Sequence, residues 1–132
     1  LRPNSCSEGQ SVRRSRQAAH SHGHRAETIA LLYLRCKGYR LLAQRFKTPT
    51  GEIDLVMQRG KTIAFIEVKA RATVDEAVFA VTPTQSRRIS SAAAFFTSRN
   101  DKAAHSFQRF DIVAVPSYLW PTHIENAFDG NR

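Results

Sequence analysis

The first folded element that the sequence predicts is an amphipathic helix beginning near Ala26. Apolar residues recur there at intervals of three and four positions, which places them on one face of a helix. These residues are Ala26, Ile29, Ala30, Tyr33 and Leu34. Gly38 follows Lys37 and suits the position after a helix end, because glycine readily adopts the left-handed conformation found there. The helix is therefore predicted to end just before Gly38.

Three strands are predicted after this helix, because short apolar stretches alternate there with turn residues. The first strand covers residues 39–46 and the second covers residues 52–57, with a turn at residues 48–51 between them. The third, at residues 62–69, is apolar until its last positions, which is typical of a central strand covered on both faces. A tight reversal at residues 59–61 predicts that the second and third strands are antiparallel neighbours.

The second half of the chain predicts one more helix and one or two more strands. Thr82 suits the N-cap, Pro83 suits the first helical position, and Gln85 stands where a capping box needs it. The apolar face of this helix carries Ile89, Ala92, Ala93 and Phe96. A fourth strand is predicted at residues 107–115 and a short edge strand at residues 122–128. This order of elements predicts an α/β fold with a mixed sheet.

Residues 1–22 lack an apolar pattern and are rich in Ser, Arg, Gln and Gly. Such a composition cannot bury enough apolar surface to fold, so we predict a disordered basic arm. The remaining residues, 23–132, are long enough for one domain with a modest core but not for two ordinary ones. The predicted organisation is therefore an N-terminal arm followed by a single domain.

Histidines are not expected to form a site in this chain. His20, His22 and His24 alternate at the end of the arm, but no second group of ligands follows them at a fixed spacing. His105 and His123 have no partner that the pattern identifies, so packing or surface exposure is their expected role.

Composition and charge narrow the classes of function. The chain has no apolar stretch near the roughly 20 residues that cross a bilayer, and its first residues contain no apolar signal core. Two cysteines cannot build a disulfide framework, so a cytoplasmic location is expected. The net charge of +9 at pH 7 is typical of a protein that binds a polyanion, although a basic surface also serves solubility. Nucleic acid is favoured over a membrane surface, because no long amphipathic helix has a dense basic face.

In two neighbouring predicted strands the apolar content ends beside an acidic side chain. Asp54 and Glu67 lie six and seven residues from Gly60 at the centre of the reversal, so they should face each other across the ladder. Like charges so placed repel unless a cation neutralises them. Carboxylates without Cys or His favour Mg²⁺ or Mn²⁺. Lys69 shares a strand face with Glu67 and could stabilise charge that develops during hydrolysis of a phosphodiester.

Each of these residues also has a purely structural interpretation. Glu67 and Lys69 could form an exposed salt bridge, worth about 0–1 kcal/mol. Glu27 lies one residue from the apolar stripe of the first helix, so it either reaches the acidic end of the sheet or lies exposed on the helix. Gln85 is first a capping residue, and a role in the site comes second.

The ordered residues resemble a known nuclease signature. Gly51-Glu52-Ile53-Asp54, followed after twelve residues by Glu67-Val68-Lys69, is similar to the PD-(D/E)xK motif, with Ile53 in place of the proline. More narrowly, residues 23–128 resemble the YraN-like family, bacterial proteins regarded as endonucleases and related to archaeal Holliday junction resolvases. Further stretches that carry this resemblance are Ala26-Glu27, Val81-Thr82-Pro83 and Phe110-Asp111-Ile112-Val113-Ala114-Val115.

The resemblance implies a restriction-endonuclease-like αβββαβ core, with a central mixed sheet flanked by helices. By analogy with the family, Asp54 and Glu67 would hold Mg²⁺ or Mn²⁺, and Glu27 would complete the acidic cluster. Lys69 would serve catalysis, and Gln85 would be the polar residue that related resolvases carry on the next helix. The implied function is metal-dependent endonuclease activity on DNA, with branched or otherwise structured DNA as one substrate class. Resolvases cut two strands with paired sites, so a homodimer is also suggested.

Two other classes of function fit the same sequence. A nucleic-acid-binding module could keep the nuclease fold without its chemistry, and it would bind DNA in a salt-dependent way that is indifferent to Asp54. A small protein that binds another protein is the third interpretation. Metal binding that depends on the carboxylates would separate the enzyme from the other two.

Overall fold

The computed structural model describes residues 24–117 and 120–128, so the predicted arm lies outside the described residues. In chain order the elements are α1 (24–36), β1 (Arg40–Thr48), β2 (Gly51–Arg59), β3 (Thr62–Lys69), α2 (Val74–Phe79), α3 (Pro83–Ser98), α4 (Asp101–Ala104), β4 (Phe107–Ala114) and β5 (Thr122–Ile124).

The five strands form one mixed sheet in the order β1-β2-β3-β4-β5. The strands β1, β2 and β3 are successive antiparallel neighbours, β3 and β4 are parallel, and β4 and β5 are antiparallel. A parallel pair needs a crossover connection, and the segment from α2 to α4 provides it. The predicted α/β fold with a mixed sheet flanked by helices is confirmed.

Helices α1 and α3 cover opposite faces of the sheet, and each face has its own apolar core. Neighbouring residues of β3 point to opposite faces. Ile66 belongs to the core that includes Leu34 of α1. Phe65 packs instead against Phe96 of α3, with ring centroids 6.0 Å apart. Residues 63–68 are all buried, as predicted for a central strand.

The end of α1 and the start of α3 confirm the caps predicted at Gly38 and Thr82, but the predicted capping box is only half formed, since Gln85 Oε1 accepts from Lys69. Gly38 has φ 93°, its N–H donates to Arg35 O at 3.0 Å, and the Tyr39 N–H donates to Leu34 O at 3.0 Å. At the start of α3, Thr82 Oγ1 accepts from the Gln85 N–H at 3.1 Å. The first turn of α3 is thereby fixed.

Helix α3 lies directly against the start of β2. A Cβ atom added to Gly51 would stand 1.9 Å from the backbone oxygen of Arg88, a separation that real Cβ atoms essentially never show. Glycine therefore permits a backbone-to-backbone contact that a side chain would prevent. This contact places the first turns of α3 beside the strand that carries Asp54.

Two short helices and the length of β5 were not predicted correctly. Helix α2 has six residues, of which only Ala77 is buried, and α4 has four, so neither has the apolar repeat of a longer helix. The edge strand β5 covers Thr122–Ile124 and does not extend to residue 128. Among the described residues, no helix is both long and apolar enough to cross a membrane.

Candidate functional site

The hairpin of β2 and β3 brings Asp54 and Glu67 together. Gly60 in the turn has φ 60°, and the register that starts at this turn pairs Leu55 with Ile66. One further step along both strands places Asp54 opposite Glu67, and the two carboxyl groups lie in hydrogen-bonding contact. The predicted juxtaposition of the two acids is therefore present in the structure.

The environment of this carboxyl pair disfavours its full ionisation. Burial, with the charge of Glu67 added, raises the pKa of Asp54 to about 8. The Val68 N–H donates to Asp54 Oδ2 at 2.9 Å and offsets this rise only in part. Burial also raises the pKa of Glu67, which is 8% exposed, although Lys69 opposes the rise. The pair therefore holds a proton or requires a cation.

Lys69 joins the carboxyl pair to α3. Its Nζ lies 3.3 Å from Glu67 Oε1 and donates to Gln85 Oε1 at 3.2 Å. The side chains of Lys69 and Glu67 are 13% and 11% exposed, so this ion pair is not the exposed surface pair of the structural alternative. Gln85 takes part in the site through its side chain as well as in the helix cap through its N–H.

Glu27 reaches the same end of the sheet from α1. It is 8% exposed, so the alternative of an exposed helix face is wrong. Its charge is one of the smaller causes of the raised pKa of Asp54. Its carboxylate, however, forms an ion pair with Arg45, in which Nε lies 2.7 Å from Oε2.

Arg45 is a residue of this site that the sequence analysis did not identify. It lies on β1 between Gln44, which pairs with Leu55, and Phe46, which pairs with Ile53, so it stands beside Asp54. Its φ of 51° departs from the extended conformation of the strand. The sequence does not indicate that Arg45 belongs to the site, because one arginine in a predicted strand is not unusual. Its left-handed conformation depends on the register of β1 against β2.

The oxygen donors of the site fit a hard divalent cation. Asp54 and Glu67 offer adjacent carboxylates, and Mg²⁺ is commonly bound by one or two carboxylates together with water and substrate phosphates. Within residues 24–117 and 120–128, no three His, Cys, Asp or Glu side chains are arranged to hold a metal ion. This agrees with the engagement of Glu27 by Arg45. The metal itself stays a prediction, with two protein carboxylates as its donors.

A second polar cluster lies around Asp111 on β4 and was not predicted. The buried Asp111 carboxylate accepts from Arg109 Nε at 2.9 Å, from His123 Nε2 at 2.7 Å and from the Asn126 N–H at 2.9 Å. Burial would raise the pKa of Asp111, but the hydrogen bonds from His123 and Arg109 outweigh it and lower the pKa. Lys37 Nζ donates to His123 Nδ1 at 2.7 Å, so His123 has two partners that the sequence did not indicate. The cluster ties β5 to the sheet.

Three exposed arginines follow closely in sequence after residues of the site. Arg71 follows β3 two residues after Lys69, and Arg87 and Arg88 follow Gln85 in the first turns of α3. All three arginines are exposed. We call these three arginines the basic rim of the site, and their charge suits a polyanionic ligand.

Comparison with known proteins places this chain among sequences of one family. The model of the uncharacterised protein family UPF0102 matches residues 26–115. A UPF0102 protein of Chelativorans sp. is 51% identical over 120 residues, which cover 91% of this chain and 97% of the relative. One of Mesorhizobium japonicum is 47% identical over 118 residues, covering 89% and 94%. One of Rhodopseudomonas palustris is 52% identical over 116 residues, covering 88% and 91%.

Proposed function

Since the chain belongs to the uncharacterised protein family UPF0102, its activity has to be inferred from the site, and we propose that it is a metal-dependent endonuclease acting on DNA. The observation that carries this proposal is that two shielded carboxyl groups, those of Asp54 and Glu67, are in contact with each other. The amine of Lys69 forms an ion pair with Glu67. Such a pair of carboxyl groups must hold either a proton or a cation, and a divalent ion can take the place of the proton.

In the proposed reaction Asp54 and Glu67 would hold Mg²⁺ or Mn²⁺. A divalent ion, when bound, supplies Lewis-acid chemistry, polarising a phosphodiester oxygen and lowering the pKa of a water molecule. The amine of Lys69 would stabilise the negative charge that develops on the phosphate during the reaction. Gln85 orients Lys69 by accepting a hydrogen bond from its Nζ. Glu27 would be the third carboxylate of the site.

The arrangement of elements supports a restriction-endonuclease-like core of the PD-(D/E)xK type. One helix, three antiparallel strands, a helical crossover and a parallel fourth strand follow in the expected order. Asp54 lies near the start of β2, and Glu67 lies near the end of β3 that leads into the crossover. Branched or otherwise structured DNA as the substrate, a homodimer and a cytoplasmic location belong to the same proposal.

The test is cleavage of a panel of linear, nicked, flapped and four-way DNA with Mg²⁺ or Mn²⁺. Asp54→Asn and Lys69→Ala should each lower the cleavage rate by about 100-fold or more. Glu52→Gln is the matched control, since it removes an exposed acid two residues from Asp54. Cleavage that survives Asp54→Asn would assign the activity to a contaminant.

Calorimetric titration with Mn²⁺ separates this enzyme from a binding module without chemistry. Saturable binding that disappears in Asp54→Asn supports the nuclease. DNA binding without any Mn²⁺ binding that depends on Asp54 would contradict it and leave the binding module.

A further inference from the structure

Glu27 is a buried acid whose observed partner is an accessible cation. Glu27 is 8% exposed as a residue, whereas the side chain of Arg45 is 44% exposed. One nitrogen of Arg45, Nε, contacts the carboxylate at 2.7 Å. A guanidinium has five N–H donors, so much of this side chain remains available to solvent or to a ligand. The two partners of this ion pair are therefore exposed to very different degrees.

Arg45 stands in line with the carboxyl pair across three strands. By the register of the sheet it lies beside Asp54 on β2, and Asp54 lies beside Glu67 on β3. Its backbone has φ 51°, a conformation that is costly for a residue with a side chain. Such strain tends to persist where a ligand is clamped or a switch is located.

Glu27 is poorly accommodated without a cationic partner. Removing one partner of a buried ion pair leaves an uncompensated charge, which is strongly destabilising. Arg45, which contacts the Glu27 carboxylate at 2.7 Å, lies beside Asp54 in the sheet, so Glu27 reaches the end of the sheet that carries the carboxyl pair. The cation that would occupy the carboxyl pair is therefore the natural replacement for Arg45 as the partner of Glu27.

We propose that Arg45 exchanges partners when DNA binds, leaving Glu27 for a DNA phosphate and releasing Glu27 to become the third acid at the metal. Arg45 is thus a positioning residue that couples DNA binding to metal binding. A phosphate is a fitting partner, because arginine binds its oxygens with two parallel hydrogen bonds. This inference rests on the proposed nuclease function and adds a regulation of the same site.

The metal arm of the test is a double-mutant cycle read by calorimetric titration of the DNA-free protein with Mn²⁺. In the wild-type background Glu27→Gln should change the Mn²⁺ affinity little, because the Glu27 carboxylate is already paired with Arg45. In the Arg45→Gln background the same substitution should weaken Mn²⁺ binding by about threefold to tenfold. An equal effect of Glu27→Gln in both backgrounds would overturn the exchange.

The DNA arm measures binding of a short fluorescent duplex in EDTA, where no cleavage occurs. Glu27→Gln frees Arg45 and should tighten DNA binding by about threefold or more in the wild-type background. In the Arg45→Gln background this gain should disappear. Glu52→Gln removes a nearby exposed acid and should have the same effect in both backgrounds. A gain from Glu27→Gln that persists without Arg45 would contradict the proposal.

A second variant guards against failure of Arg45→Gln to fold. Arg45→Gly removes the same guanidinium while suiting φ 51°, so it relieves backbone strain. Both arms should give the same coupling with this variant. Mn²⁺ binding that does not depend on Asp54 would count against the proposed nuclease function. Mn²⁺ binding that depends on Asp54 but shows no coupling between Glu27 and Arg45 would overturn only the exchange of partners.

Discussion

Asp54 and Glu67 bring two carboxyl groups into contact in a shielded position. The two groups have different partners. Lys69 forms an ion pair with Glu67, while Asp54 accepts a hydrogen bond from the Val68 N–H. Groups arranged to bind a ligand often lower the stability of the protein without that ligand. The stability of single-residue variants therefore reports on the same feature as their activity.

Asp54→Asn should stabilise the metal-free protein. An acid whose folded-state pKa is raised from 3.8 to about 8 loses stability as the pH rises between these values, and an amide avoids this loss. In EDTA at pH 8 we expect a gain of about 1 kcal/mol or more and a melting temperature higher by about 4 °C. The gain should vanish below pH 4. Thermal unfolding that shows a lower melting temperature for the variant at pH 8 would contradict this account.

Asp111→Asn should destabilise the protein at neutral pH but much less in acid. The lowered pKa of Asp111 means that its contribution is complete above the unfolded value of 3.8 and is lost as the pH falls through the lower folded value. We expect a cost of about 3 kcal/mol at pH 7, because Arg109 and His123 would face an amide. Urea unfolding at pH 7 and below pH 3 measures the difference.

Glu125→Gln is the control for this prediction. Glu125 also contacts Arg109, at 3.7 Å, but its side chain is 47% exposed. Exposed pairs contribute little, so this variant should cost no more than about 1 kcal/mol at either pH. An equal loss of stability from the two substitutions at pH 7 would show that the buried cluster around Asp111 does not stabilise the protein as expected.

At the scale of elements, the hairpin of β2 and β3 could be predicted from sequence, whereas β1 could not be predicted in detail. The turn at Gly60 sets the register over a few residues, so the meeting of Asp54 and Glu67 follows from local spacing. The irregular pairing of β1 between Leu41 and Ala43 and the left-handed Arg45 depend on packing against β2. The short α2 has too few buried residues to leave a periodic signal.

Gly51→Ala tests the contact between β2 and α3. The added methyl group would stand 1.9 Å from Arg88 O, so the strand and the helix must separate. We expect a loss of about 3 kcal/mol or more in urea unfolding. Gly60→Ala is the matched control: its Cβ would meet nothing within 4 Å, and only the strain of φ 60° remains, about 1 kcal/mol. A smaller cost at Gly51 than at Gly60 would contradict the close approach.

At the scale of the whole molecule, the basic charge should direct DNA toward the end of the sheet that carries the acids. Arg87→Gln and Arg88→Gln should each weaken binding of any DNA sequence and reduce the salt dependence of affinity by about one phosphate contact. Fluorescence anisotropy in EDTA over a range of NaCl concentrations gives both quantities.

Arg99→Gln is the control for the basic rim. Arg99 is exposed at the other end of α3, about 18 Å from Arg87 at the rise of an α-helix, and it stacks on Phe95. Its loss should leave the salt dependence unchanged. Equal effects of Arg87→Gln and Arg99→Gln would mean that DNA binds by total charge and not at the site.

The sequence by itself determined the long helices, the central strands and the meeting of Asp54 with Glu67, because each depends on periodicity, capping or turn chemistry within about twenty residues. Only the tertiary structure decided the partners of distant side chains. It placed Glu27 against Arg45, Gln85 against Lys69 and His123 against Asp111. These pairs join elements that are remote in the chain, and their contacts arise from how the helices and strands pack, which no local pattern of residues records.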